Sequence, residues 1–314
     1  MWEAKRNLGY TRYSLHHAER IYDGAVIGET GWILLVNRRR WVTFMCTPQN
    51  IHHLALGFML AEGVIRALED ILQLKVYEAP NRVYWLAPAL GLQKTLTMRG
   101  CEEAVGIIDA RVAGNPVPDY STRVLTSGCS GGVTFDDLSS EHPPLDMPAM
   151  PSVSPRQVLD LTQELNRRAV LYRECRGVHT SALSDGKRFL VVAEDVGRHN
   201  TLDKIRGCCL LGNIDTEGGI LLTTGRISSE MLTKARGMRV PVVISRTSPT
   251  ALAVELAEAW GMTVIGYARG NRMNVYTGDE RIRIDTQPPS EGRLRVDDSP
   301  LSHSGFSRSM ENTT

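Results

Sequence analysis

The run Thr126-Ser127-Gly128-Cys129-Ser130-Gly131-Gly132 sets one cysteine among three glycines, with no bulky side chain beside it. Glycines let the backbone take positive φ and turn several amide N–H groups toward one point, and such a nest stabilises a thiolate as it does any small anion. The thiolate is the nucleophilic form of cysteine, so this setting suits sulfur chemistry at Cys129. The loop alone leaves a second reading open, a tight turn with a small cysteine as filler, because buried inert cysteines are common.

Three further segments combine glycine with arginine: Glu194-Asp195-Val196-Gly197-Arg198-His199-Asn200, Thr224-Gly225-Arg226-Ile227-Ser228-Ser229-Glu230 and Tyr267-Ala268-Arg269-Gly270-Asn271-Arg272. Glycine admits close backbone approach and arginine supplies a planar fork for phosphate oxygens, so the combination points to a phosphate-bearing ligand. Two lesser candidates stand nearby. His179 lies on a predicted strand among apolar residues, where it is either a hydrogen-bonded core residue or an acid or base. Asp195 and His199 share a loop and could orient one another, although Asp195 equally suits the cap of the coming helix. Cys208-Cys209 falls inside an amphipathic helix, where neighbouring side chains point apart and make a poor metal site.

The elements that must hold these groups are legible. Trp32 to Val36 and Trp41 to Met45 read as strands joined by a turn around Asn37 to Arg40, and a helix runs from about Asn50. Ile71 to Tyr77, Arg82 to Leu86 and Leu92 to Met98 alternate like strands of a small antiparallel sheet. Residues 25–136 are therefore expected to form a small α+β domain that ends in the Cys129 loop. A linker rich in Pro, Ser and acidic residues follows over 137–153. Ser154, Pro155 and Gln157 signal a capped helix start, with Val158, Leu161, Leu165 and Ala169 as its buried stripe. Val178 to Leu183, the Asp185-Gly186 turn and Phe189 to Ala193 make a hairpin. Helix and strand then alternate, with helices from about Asn200, Ser228 and Thr250 and strands at Gly219–Thr223, Val240–Ser245, Met262–Tyr267 and Arg272–Tyr276. The fold class is α/β: residues 154–285 form a three-layer α/β/α domain whose sheet is largely parallel in its second half. In such sheets ligands gather where strands end and helices begin, which is where the Gly-Arg segments fall. Residues 286–314 are polar and are expected to be a disordered tail.

Composition narrows the function classes. A net charge of +1 over 314 residues argues against a general nucleic-acid surface, so any anion site is a local cluster. No apolar run reaches the roughly 18 residues of a membrane span, and Met1 to Asp23 lacks a continuous apolar core, so a cytoplasmic protein is expected. Six cysteines without a C-x-x-C pair imply reduced thiols rather than a disulfide scaffold.

The blocks Leu56 to Gly63, Gly177-Val178-His179, Asp195 to Lys204, Gly225-Arg226 with Glu230-Met231, Leu252 to Ala257 and Val275-Tyr276-Thr277 together resemble the FdhD/NarQ family across most of residues 30 to 280. The resemblance implies a cytidine-deaminase-like second domain and a sulfur carrier needed to activate formate dehydrogenase and related molybdenum or tungsten enzymes. It implies that Cys129 accepts sulfur from a cysteine desulfurase as a persulfide and passes it to the molybdenum of bis-molybdopterin guanine dinucleotide, bound as a ligand at Tyr267, Ala268, Arg269, Gly270, Asn271 and Arg272. His179, Asp195, Arg198, His199 and Arg226 are possible supporting residues, no intrinsic metal is expected, and a homodimer is implied. One departure stands out. Members often carry a C-x-x-C pair in this loop, whereas here the second position is Gly132, so no neighbouring thiol can expel the sulfur by closing a disulfide. The alternatives are a cofactor-binding chaperone that transfers no sulfur and a zinc-dependent deaminase. The deaminase needs a Pro-Cys-x-x-Cys pair opening the helix after Gly225, and this chain has no thiol there.

Overall fold

Alternation of buried and half-buried residues along Thr30–Val36 places Thr30, Trp32, Leu34 and Val36 on one face of a strand. The computed structural model describes residues 3–78, 82–86, 105–114, 124–125, 132–133, 142–146 and 151–284. Cys129, the expected strand Leu92–Met98 and the tail from residue 285 lie outside the described residues. In chain order the strands are β1 (Lys5–Tyr13), β2 (Ala18–Ile27), β3 (Thr30–Val36), β4 (Arg39–Cys46), β5 (Ile71–Glu78), β6 (Arg82–Leu86), β7 (Val105–Val112), β8 (Val124–Leu125) and β9 (Gly132–Val133). The second half adds β10 (His179–Ser184), β11 (Phe189–Asp195), β12 (Ile220–Thr223), β13 (Val242–Ser245), β14 (Thr263–Arg269) and β15 (Arg272–Thr277). The helices are α1 (Ile51–Ala61), α2 (Pro155–Arg168), α3 (Val170–Cys175), α4 (Arg198–Gly212), α5 (Ser229–Gly237) and α6 (Ala251–Ala259).

The first sheet has the order β4-β3-β7-β5-β6. Asn37 and Arg38, both at positive φ, turn β3 back into β4 as the sequence suggests. The sheet is mixed rather than antiparallel throughout, because β7, which the sequence reading did not identify, inserts parallel to β3 and antiparallel to β5. The polar lead, whose sequence announces no element, forms the antiparallel hairpin of β1 and β2.

The second sheet has the order β11-β10-β12-β13-β14-β15, with β12, β13 and β14 parallel and β10 and β15 antiparallel to their neighbours. Its two faces are covered as a three-layer fold requires. Val158, Leu161 and Leu165 of α2 pack with Ala182, Leu222, Ile244 and Ile265 on one side, while α4, α5 and α6 share a core with Leu183, Leu221, Val243 and Val264 on the other. The expected cap is present: Ser154 Oγ accepts from the Gln157 N–H at 3.2 Å and Gln157 Oε1 accepts from the Ser154 N–H at 3.3 Å.

The two sheets are coupled through α1. Its buried residues, Ile51, Leu54, Ala55, Leu56, Gly57, Phe58 and Met59, leave no solvated face, and a helix apolar on all sides must be covered on all sides. The first sheet covers one side and α4 the other, with Leu210 and Leu211 of α4 joining the first core. Contact is backbone to backbone. A Cβ on Gly57 would overlap the Asp203 carbonyl oxygen, and one on Gly207 would overlap that of His53. Gly57→Ala is therefore expected to force the helices apart and to lower stability by about 3 kcal/mol in urea unfolding. An unchanged midpoint would contradict this packing.

Candidate functional site

The carboxyl ends of β11, β12, β13 and β14 and the start of β10 lie on one edge of the second sheet, as their pairing dictates. All three Gly-Arg segments open onto this edge. The first two run into the N-termini of α4 and α5, the positive ends of the helix dipoles; α5 is capped by Ser228, whose Oγ accepts from the Met231 N–H, while the α4 start has no side-chain cap. The third is the turn of the β14–β15 hairpin, with Gly270 at positive φ and Arg269 paired to Arg272. It stands two strand positions from β12, about 10 Å across the sheet.

At the centre, His179, Arg198 and Gly225 converge. A Cβ on Gly225 would stand 3.1 Å from Arg198 Cβ and 3.3 Å from His179 Nδ1. Burial holds the His179 imidazole below its usual range, and the charges of Arg198 and Arg226 add to that push against a smaller opposing effect of Asp195. Arg198 Nε is buried with no hydrogen-bond partner among the described residues, whereas Arg226 is exposed. An edge that gathers cations, one buried arginine donor and two helix N-termini is suited to bind an anion.

In the third segment, Tyr267 has a φ of 51° and its N–H donates to the Thr247 carbonyl at 2.9 Å. Ala268 is buried, while Arg269, Gly270, Asn271 and Arg272 are exposed. The Arg269 guanidinium lies 5.6 Å from the centre of the Tyr267 ring.

Asp195 and His199 do not orient one another. Asp195 is fully buried and committed elsewhere: Oδ2 pairs with Lys204 Nζ at 2.6 Å and accepts from the Thr47 N–H at 3.2 Å. Its Oδ1 accepts from the Gly197 N–H and from Asn200 Nδ2, both at 2.8 Å. His199 turns instead toward α5, with Nε2 3.3 Å from Ser228 Oγ and 3.4 Å from Glu230 Oε2. Beneath it Lys234 Nζ pairs with Asp203 Oδ2 at 2.6 Å. Burial raises the Asp203 carboxyl, opposed by Lys234, and lowers His199 to about 2, helped by the charges of Lys234 and Arg198. Of this network, the sequence does not point to Thr47 and Lys234, and Asp203, Lys204 and Glu230 stand there only inside longer blocks, with no role of their own. The available signal is the charged run Asp203-Lys204, a pair that packing buries in α4.

Cys129 lies outside the described residues, between β8 and β9, which pair antiparallel. Gly132 opens β9. Cys175, at the end of α3, is half-buried, donates its thiol hydrogen to the Leu171 carbonyl at 3.1 Å and is pushed above its usual pKa by burial. Cys209 is buried and Cys208 half-buried in α4, as packing predicts. Among the described residues, no group of three or more His, Cys, Asp or Glu is placed to hold a metal, and no helix is long and apolar enough to cross a membrane.

The fold and the edge define an α/β protein with a cationic margin fed by three loops. The FdhD/NarQ family model matches residues 27–283, and the chain belongs to that family. A relative from Bacillus subtilis (strain 168), named sulfur carrier protein FdhD, is 32% identical over 272 residues, 87% of this chain and 95% of the relative. A protein of the same name from Staphylococcus aureus (strain bovine RF122 / ET3-1) is 30% identical over 256 residues, 81% of this chain and 87% of the relative. A crystal structure from Desulfotalea psychrophila, provisionally described as a formate dehydrogenase accessory protein, superposes with a TM-score of 0.64 at 24% identity. It covers 89% of this chain and 100% of its own, which supports the fold.

The low His199 value fixes a pH dependence. Below its ordinary value of 6.5 the unfolded chain takes up a proton that the folded chain refuses down to about 2. The stabilisation is therefore complete above 6.5 and is lost as pH falls from there. His52 and His53, lowered by burial to about 4 and about 3, act in the same direction. His199→Asn is expected to reduce proton uptake on unfolding at pH 5.5 by about one, measured from urea midpoints across pH. An unchanged slope would contradict a buried neutral His199.

Proposed function

We propose that this chain is a sulfur carrier that serves formate dehydrogenase, taking sulfane sulfur on Cys129 and delivering it to the metal of a pterin guanine dinucleotide held at the carboxyl edge of the second sheet. The observation that carries the reading is the convergence of three Gly-Arg loops on one edge, where Arg198 Nε is a buried donor without a partner among the described residues. A ligand with two nucleotide arms presents several phosphates, which the separated cations at Arg198, Arg226, Arg269 and Arg272 fit. Family membership and the names of the curated relatives support the sulfur-carrying part.

In the loading step the Cys129 thiolate attacks the outer sulfur of the desulfurase persulfide. A new S–S bond forms at Cys129, the donor's S–S bond breaks, and the desulfurase cysteine leaves as a thiolate without net oxidation. Passing that sulfur on as sulfide requires two electrons. A second thiol in the same loop would supply them by closing a disulfide, and Gly132 stands in that position. Cys175 is a weak substitute, since burial keeps its thiol protonated. The electrons therefore come from the acceptor or from an external reductant. Among the alternatives, the absence of the second thiol favours a cofactor chaperone that transfers no sulfur.

Two variants separate loading from binding. Cys129→Ala should bind cofactor with wild-type affinity yet fail to activate formate dehydrogenase in a reconstituted assay, and normal activation would sink the carrier reading. Arg269→Gln should still load sulfur while its affinity for the cofactor drops by about 1.5–3 kcal/mol in titration calorimetry, and wild-type affinity would remove the edge from the account.

A further inference from the structure

The hairpin of β1 and β2 is covered by little else in the chain. All of β1 is exposed and β2 buries only Gly24. A lone two-stranded ribbon is marginally stable in water, and this one also exposes Leu8, Tyr10, Tyr13, Tyr22 and Val26, with Leu15 at its tip. The pairs Arg6 with Val26, Leu8 with Gly24 and Tyr10 with Ile21 share one face, so that face carries an apolar strip flanked by cations. Lys5, Arg6, Arg12 and Arg20 outnumber Glu19 and Asp23, and Arg6 and Arg20 make no ion pair among the described residues.

The base of the hairpin is anchored beside the candidate site. Lys5 pairs with Glu174, and the Ile27 side chain lies against Gly177, two residues before His179. From there the ribbon extends roughly 30 Å, long enough to supply much of the ~800 Å² per partner of an ordinary protein interface.

Resting on the function proposed above, we infer that this hairpin is a docking arm for the apo-oxidoreductase that receives the cofactor, and that it recognises an acidic protein surface with an apolar strip beside the cofactor's entrance. The receiver has to close over the carboxyl edge, which brings it within the arm's reach.

The test measures binding of full-length protein to purified apo-formate dehydrogenase by biolayer interferometry, for wild type, Leu8→Ser/Val26→Ser and Arg6→Glu. These side chains are exposed or solvent-facing, so the variants retain the fold, checked by their urea midpoints. Both variants should bind at least tenfold more weakly, and the charge variant should lose salt dependence, while sulfur loading on Cys129 and cofactor affinity stay at wild-type values. Unchanged affinity, or a wild type that does not bind apo-formate dehydrogenase, overturns the arm. So does a loss confined to desulfurase binding, or a smaller oligomer with client affinity intact. Failure of the wild type to load sulfur or bind cofactor would instead count against the underlying function, whatever the arm does.

Discussion

The buried Asp195–Lys204 pair is the constraint on which the rest of the structure depends. Two charges removed from water are stable only when the remaining lone pairs and protons are also satisfied. Here they are: each Asp195 oxygen has two partners, and Lys204 Nζ also donates to the Thr47 carbonyl at 3.1 Å and the Glu194 carbonyl at 3.3 Å. Thr47 leads from β4 toward α1, while Glu194 and Asp195 end β11 before α4. One ion pair thus ties the end of the first sheet to the start of the helix that organises the second. Losing either partner would strand a buried charge, at a cost of about 3–5 kcal/mol.

That tie fixes the first turn of α4, and the Gly57–Gly207 crossing fixes its body. Arg198 consequently faces the edge, with its backbone neighbours held by Asp195, while His199 is directed inward to Ser228 and Glu230. The Asp203–Lys234 pair below joins α4 to α5 in the same way. The cationic margin therefore rests on two layers of buried charge, and its geometry is set by residues beneath it.

Much of the fold was legible because local chemistry announces it. Ser154 and Gln157 cap α2 as their spacing requires, the hairpin after Val178 turns at Asp185-Gly186, and the alternating helices and strands fall within a few residues of their expected places. Non-local features were not legible. β7 pairs parallel with β3 across a long stretch of chain, which no local pattern encodes. The β1–β2 ribbon lacks a buried face and so lacks the alternation by which strands are recognised. Asp195 is visible as a candidate, but its pairing with Lys204 nine residues on depends on Thr47 and on the packing of α1 against α4, which no local pattern encodes. The Gly-Arg segments stood out by composition, and sheet topology explains why they share an edge.

The sulfur itself supplies the most direct measurement. Intact-protein and peptide mass spectrometry after incubation with a cysteine desulfurase and cysteine should find one added sulfur atom on Cys129, removed by a thiol reductant. Wild-type protein that gains no sulfur there, or gains it on Cys175 instead, would contradict the account.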